Sequence, residues 1–394
     1  MALLRPVGAH DREDGRLSGD LIPHPTPLRT IGWRSGSYGL VAFSTYTDAD
    51  PHLWSDACKL AVRMTGGGPF TSTGLKVKLK GDLQTLRRLF ENEDAIRAGH
   101  AMPHRILLIG TGGGMCCIRV AAYLTAWRDV GLERAVDHAI SVSGSGGAVG
   151  AFLSGLPHRA IRMFEHLAVS GFVKGSSWRR RRLHLPYLAE ILRGNHSPLS
   201  FDQNLICTHR CTWHVVVTRL TGESFLLDAK SAKPDAAQAV LASSAFPQMT
   251  QPILVGMGET EEYLVDGACG MPLPILAGVK RFRPDTLIVL ASRPHPKHLP
   301  WIERWFWPTI ARTALRQMPI ALRNSAAAMS RVMAAEADRL NRLKRIRWCR
   351  ITPNGAEVPI TPYTTDLFML RKAADEAKIF MREALKIARP ARQI

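Results

Sequence analysis

Three short stretches hold residue types that could carry out acyl transfer. The first is Ser143-Gly144-Ser145-Gly146-Gly147, which fits G-x-S-x-G over 143–147 with Ser143 in place of the first glycine. That pattern describes a nucleophile elbow, a tight strand-to-helix turn that projects a serine hydroxyl. Small neighbours let the backbone pack and the substrate approach, and the following helix aims its N-terminal N–H groups at developing negative charge. A serine nucleophile needs a base. None of the 14 histidines stands in a recognisable triad context. Asp266-Gly267-Ala268 instead follows the apolar Tyr263-Leu-Val265, placing a carboxylate at a strand end, where open α/β sheets carry functional groups. The third stretch is the glycine turn Gly110-Thr-Gly-Gly-Gly114. As a dinucleotide fingerprint it fails: the third glycine would fall at Met115, and the nearest acidic residue, Asp129, closes a helix instead of a strand.

These groups need a scaffold, and the hydrophobic pattern predicts one. Arg105–Ile109 is almost wholly apolar, as a buried parallel strand is, and helical spacing follows from Ile118 to Trp127. The unit repeats at once: strand Val136–Val142, the serine turn, then a helix beginning over Ala148–Leu153. Further strands are predicted at Trp213–Thr218, Ser224–Leu227, Tyr263–Val265 and Thr286–Leu290. Strands alternating with helices predict an α/β fold with a mainly parallel sheet. Residues 1–100 read as an N-terminal extension of unknown role. Its first 37 residues are poorly ordered by composition, a strand is predicted at 38–46, and a helix at 82–98. Residues 101–300 read as the core, and residues 301–394 as a basic, mostly helical region packing on it.

Taken together, Gly112-Gly113-Gly114, Ser143-x-Ser145-x-Gly147, Ala242-Ser-Ser-Ala-Phe-Pro247 and Asp266-Gly-Ala268 resemble the patatin-like phospholipase family in order and spacing. The resemblance covers about residues 105–290, and more weakly 351–366. It implies a three-layer α/β/α fold and a lipid acyl hydrolase that works through a Ser–Asp dyad and an acyl-enzyme, with no cofactor and no metal. Carried across, Gly112, Gly113 and Gly114 line an oxyanion hole, Ser145 is the nucleophile, Asp266 is its base, and Ser143 and Gly147 flank the elbow. The 242–247 segment resembles a packing element beneath the site. Pro274 and the strand-turn Val217–Glu223 also match. Three positions depart from the family pattern: Cys116 and Cys117 stand where a basic residue and a glycine usually follow the turn, Ser143 replaces the first elbow glycine, and Pro272 replaces a common asparagine. The cysteine pair keeps open the alternative reading, a catalytically weakened fold that binds a membrane or partner, while the retained serine and aspartate argue against a dead enzyme. Arg119, three positions on, is the nearest alternative cation, but on a helix it would face elsewhere.

Composition bounds the rest. The chain has 394 residues, 46% hydrophobic and 22% charged, a globular balance with no apolar run long enough to span a bilayer. No secretory leader is predicted, and seven scattered cysteines read as reduced thiols, so the expected location is cytoplasmic or peripheral at a membrane. The formal net charge is +19, concentrated in residues 101–200 and 301–394. Arg179, Arg180, Arg181 and Arg182 follow Trp178 and are candidate contacts to an anionic membrane. Trp301, Trp305, Phe306 and Trp307 read as packing residues. Nucleic-acid binding lacks a recognised motif. Cys207, His209, Cys211 and His214 do not fit a common structural zinc spacing. The expected partner is a phospholipid or other lipid ester.

Overall fold

The computed structural model describes residues 77–175, 182–194, 199–294, 307–353 and 359–390, all within one compact unit, Ser72–Ile394. The elements run β1 (Val77–Gly81), α1 (Gln84–Arg97), β2 (Ile106–Gly110), α2 (Ile118–Asp129), β3 (His138–Val142) and α3 (Ser145–Leu153). There follow α4 (Pro157–Val169), β4 (Val173–Lys174), β5 (Arg182–Leu183), α5 (Leu185–Arg193), α6 (Gln203–Thr208), β6 (Thr212–Arg219), β7 (Ser224–Asp228) and β8 (Ala232–Lys233). Next come α7 (Ala236–Ser243), β9 (Ile253–Met257), β10 (Thr260–Asp266), α8 (Ile275–Phe282) and β11 (Thr286–Leu290). The C-terminal region adds α9 (Trp307–Ala314), α10 (Ile320–Leu340), β12 (Arg347–Pro353) and α11 (Leu367–Ala388).

The central strands are parallel in the order β12-β11-β2-β3-β6. Both flanks are antiparallel: β1 pairs with β12 at one edge, and β7, β10, β9 and β8 complete the other. The sheet is thus mixed, with a parallel centre. Alternation along each strand sorts the side chains into two cores. Ile106 and Leu108 of β2, with Ile288 and Leu290 of β11, face α1, α2 and α11. Leu107, Ile109, Leu287 and Val289 face the opposite way, onto Ile275 of α8 and Ala337 and Leu340 of α10. Strands covered on both faces must be apolar at every position, which is why Ile106–Gly110 reads as an unbroken run.

The register along β6 matters most for function. Residues 214–216 pair with both β3 and β7, and residues 217–218 pair with both β7 and β10. Strand β10 therefore lies on the same flank of β6 as β3, running toward it. Val142 is opposite Val216, and Asp266 is opposite Val217. The C-terminal ends of β3 and β10 meet tip to tip.

Two boundaries differ from the sequence reading. Residues 77–97 are part of the core: β1 extends the sheet, and Leu86, Leu89 and Phe90 of α1 are buried in it. The C-terminal region does more than cover the core, because β12 is inserted between β11 and β1. Arg347–Pro353 escapes a strand assignment because two arginines interrupt its apolar alternation. Helix α11 then lies along α2, where Met381 Sδ accepts from Trp127 Nε1 at 3.2 Å and Lys378 and Arg382 pair with Asp129. The strand expected at 38–46, the poor order expected of the first 37 residues, Trp178, Arg179–Arg181, Trp301, Trp305 and Phe306 lie outside the described residues. Among the described residues no helix is long and apolar enough to cross a membrane.

Because β12 carries hydrogen bonds on both edges, its removal strands β1 and exposes β11. A chain ending at residue 346 is expected to give no soluble protein with a cooperative thermal transition. A cooperative transition in that truncation would refute the integrated sheet.

Candidate active site

The sequence between β3 and α3 turns sharply, and the turn is built on Ser143. This residue has φ +53°, one of two non-glycine residues in the left-handed region among the described residues. Such a conformation in a residue with a β-carbon stores about 1–3 kcal/mol of strain. Surrounding contacts hold it there. The Ser143 N–H donates to Ser243 Oγ at 2.9 Å, and the Gly146 N–H donates to the Ser143 carbonyl at 2.9 Å. The Ser143 hydroxyl then points at the tip of β10 and donates to Asp266 Oδ2 at 2.7 Å.

Asp266 is fixed from three sides. Its backbone N–H donates to the Ala245 carbonyl at 3.0 Å, its own carbonyl accepts from Thr218 Oγ1 at 3.0 Å, and Oδ1 accepts from the Ala268 N–H at 2.8 Å. Gly267 makes this possible: a β-carbon there would sit 2.2 Å from the Val216 carbonyl oxygen, so another residue would push the aspartate off β6. Asp266 is 3% exposed. Burial pushes its pKa up to about 7 from 3.8, against the opposing hydrogen bonds from Ala268 and Ser143.

The assignment of Ser145 as the group facing Asp266 is corrected by this geometry. Ser145 is fully buried, and its Oγ lies 2.8 Å from the Gly110 carbonyl and 2.9 Å from the Val142 carbonyl, while accepting from the Val142 N–H. Its hydroxyl ties the elbow to β2. Ser141 is likewise turned inward, where its Oγ accepts from Trp213 Nε1 at 3.0 Å. The elbow is therefore centred on Ser143, with Ser141 and Ser145 at the flanking small positions. Three serines at alternate positions, followed by Gly146-Gly147, let the motif be read two residues late. The usable signal was the strand end: Val142 is the last apolar strand residue, so position 143 is the first that can turn out of the sheet.

The glycine turn lies against the elbow. A β-carbon on Gly112 would come within 3.1 Å of Ser143 Cβ. Gly114 has φ +54° and lies under the Pro362 carbonyl, which also accepts from the Met115 N–H at 3.0 Å. Among the described residues no acceptor takes the backbone N–H of Gly112, Gly113, Gly114 or Gly144. Unpaired backbone donors beside a buried serine are what an oxyanion hole requires. Ser292 backs the turn: its hydroxyl donates to the Gly112 carbonyl and its backbone N–H donates to Thr111 Oγ1. Arg119 is buried and donates to the Ser292 carbonyl at 3.1 Å, so it braces the turn from behind. Cys116 and Cys117 are buried, with Cys117 Sγ directed at the Thr111 carbonyl. Sequence reasoning missed Ser292, which follows β11 and shows no motif.

Gly112, Gly113, Gly114, Ser143, Gly147 and Asp266 all line one cavity of about 480 Å³, and Ser145 does not. That volume suits a small-molecule ligand. Its walls are mostly apolar: Met163, Phe164, Leu167 and Phe172 on one side, Met329 and Met333 of α10 on the other. The contribution of α10 was not legible beforehand. Arg182 is outside this lining, on an exposed strand where it donates to the Gln248 carbonyl at 3.4 Å. Cys207 is exposed, Cys211 is buried, and His209 accepts from the Cys211 N–H. Among the described residues no group of three or more metal-ligating side chains converges.

Fold and site together define an α/β protein with a serine–aspartate pair where two strand ends meet, beside a glycine turn and an apolar chamber. No family model and no curated protein matches the sequence. The crystal structure of VipD from Legionella pneumophila is similar to 84% of this chain and 73% of that chain, at 13% identity and a TM-score of 0.39. That likeness is too distant to assign a function.

The raised pKa has a thermodynamic consequence. Between about pH 4 and pH 7 the folded state holds a proton on Asp266 that the unfolded chain has lost, so stability falls as pH rises through this window and stays lower above it. Asp266→Asn is therefore expected to be more stable than the wild type at pH 8, by on the order of 2–4 kcal/mol, and equal near pH 4. Urea unfolding at the two pH values checks this.

Proposed function

We propose that the chain is a carboxylic-ester hydrolase acting on lipid esters, with Ser143 as nucleophile and Asp266 as base. The observation that carries this reading is the 2.7 Å hydrogen bond from Ser143 to Asp266 at a positive-φ elbow. The unpaired glycine amides, the apolar chamber and the resemblance to patatin-like phospholipases support it. In the reaction, Ser143 Oγ attacks the ester carbonyl as Asp266 takes its proton. Negative charge develops beside the amides of Gly113, Gly114 and Gly144, and one such donor is typically worth about 10²–10³ in rate. Collapse expels the alcohol, which takes the proton from Asp266, and leaves an acyl-enzyme. Water, deprotonated by Asp266, attacks that ester; the acyl–Oγ bond breaks, Asp266 returns the proton to Ser143 Oγ, and the fatty acid is freed. An ordinary carboxylate is a weak base at neutral pH, and burial of Asp266 brings its basicity to the working range.

The second reading, a membrane- or partner-binding module with weakened chemistry, draws on buried Cys116 and Cys117 at the end of the turn. The two readings separate by turnover. Wild-type protein is expected to release fatty acid from mixed anionic and zwitterionic liposomes. Ser143→Ala is expected to lower the rate by at least about 10³-fold. Ser145→Ala should lose stability through its broken link to Gly110 yet keep turnover within tenfold. Loss of turnover in Ser145→Ala at full folding, with Ser143→Ala active, would reverse the assignment.

Because only ionised Asp266 accepts the proton, kcat/KM is expected to rise with pH and level off above about 7. A rate already flat from pH 5 to 9 would exclude Asp266 as the base.

A further inference from the structure

Strands β11 and β12 are parallel and pair from Thr286 and Arg347 onward, so the loops that lead into them lie side by side, at the end of the sheet away from the cavity. The Arg347 N–H donates to the Asp285 carbonyl at 3.0 Å, and Arg105 Nη1 donates to the Arg283 carbonyl at 3.2 Å, which ties these loops together. Their apolar residues Phe282, Leu343 and Ile346 turn inward onto the core. Lys280, Arg281, Arg283, Arg342, Lys344 and Arg345 are exposed, and among the described residues none of them pairs with a carboxylate. Three carboxylates beside them are already engaged: Asp82 by Arg347, Asp285 by Arg88 and Glu336 by Arg339. The face therefore carries a concentrated positive field. Arg283 has φ +47° and is, with Ser143, one of the two non-glycine residues in the left-handed region among the described residues. Glycine fits this helix-cap position without strain, whereas an arginine is strained there. Strain of this kind concentrates at functional positions.

We infer that this face binds the phosphate backbone of double-stranded nucleic acid without reading its sequence. A bilayer fits the geometry poorly, because docking here would turn the cavity away from the lipid. A protein partner fits the composition poorly: protein interfaces have an apolar centre, and none of the exposed large apolar side chains belongs to these loops. A phosphate backbone needs only an array of cations, supplied by Arg and Lys. A duplex carries one charge per about 1.7 Å of axis, dense enough to engage several cations of two adjacent loops at once. The face is separate from the Ser143–Asp266 pair, so its binding stands or falls independently of the hydrolase reading.

The test measures binding of the full chain to a labelled duplex DNA of about 20 base pairs over a series of salt concentrations. Engagement of most of the six cations gives an expected slope of log K against log salt of about −4 or steeper. Arg342→Gln/Lys344→Gln/Arg345→Gln should make the slope shallower by about 3, and Arg283→Gly by about 1. Arg283→Gly should unfold at or above the wild-type temperature, because it relieves the left-handed strain, so its lost binding does not reflect lost folding. Removing three exposed cations elsewhere, in Arg312→Gln/Arg316→Gln/Lys372→Gln, should leave the slope unchanged. Equal shallowing in that control would mean attraction by net charge alone and overturn the inference. A wild-type slope shallower than about −2 would overturn it as well. So would binding to phosphatidylserine vesicles with none to the duplex, which would assign the face to a lipid surface.

Discussion

Strand β6 holds β3 and β10 end to end on one flank, and most of the site depends on that arrangement. Val216 and Val217 are consecutive, and through them Val142 and Asp266 are brought to neighbouring positions from opposite directions. A residue just past Val142 can therefore reach the aspartate with a single short side chain. A slip of one residue in the β10–β6 pairing would turn Asp266 to the other face of the sheet. Gly267 guards against this slip, because its close contact with the Val216 carbonyl leaves no room for a β-carbon.

Around this junction the protein concentrates features that are individually unfavourable. Ser143 has a backbone conformation that L-residues avoid, and among the described residues no cation pairs with the buried Asp266 carboxyl and no acceptor takes the amides of the glycine turn. The rest of the fold offsets these costs. Two apolar cores sandwich the parallel strands, and α11 ties back to α2 through Trp127 and Asp129. Strain held at a site by a well-packed scaffold suits a group that must be poised before its ligand arrives.

The C-terminal region links scaffold and site. It contributes β12 to the sheet, Met329 and Met333 to the cavity, and the Pro362 carbonyl that takes the Met115 N–H beside the glycine turn. One wall of the chamber and the carbonyl over the glycine turn thus come from residues more than 200 positions after Gly112.

The sequence by itself determined the strand–turn–helix units, because a strand buried on both faces must be apolar throughout and its turns must be small. It also determined Asp266, whose strand-end position and following glycine are local signals, and the glycine turn at 112–114. It did not determine which serine meets the aspartate. Ser141, Ser143 and Ser145 are chemically equivalent in sequence, and only the point at which β3 ends against β6 turns Ser143 outward while Gly110, Val142 and Trp213 hold its neighbours inward. Nor did it determine β12, the inclusion of 77–97 in the core or Ser292. Each of these acquires its role from a partner distant in the chain, and that pairing is settled by the packing of the whole sheet.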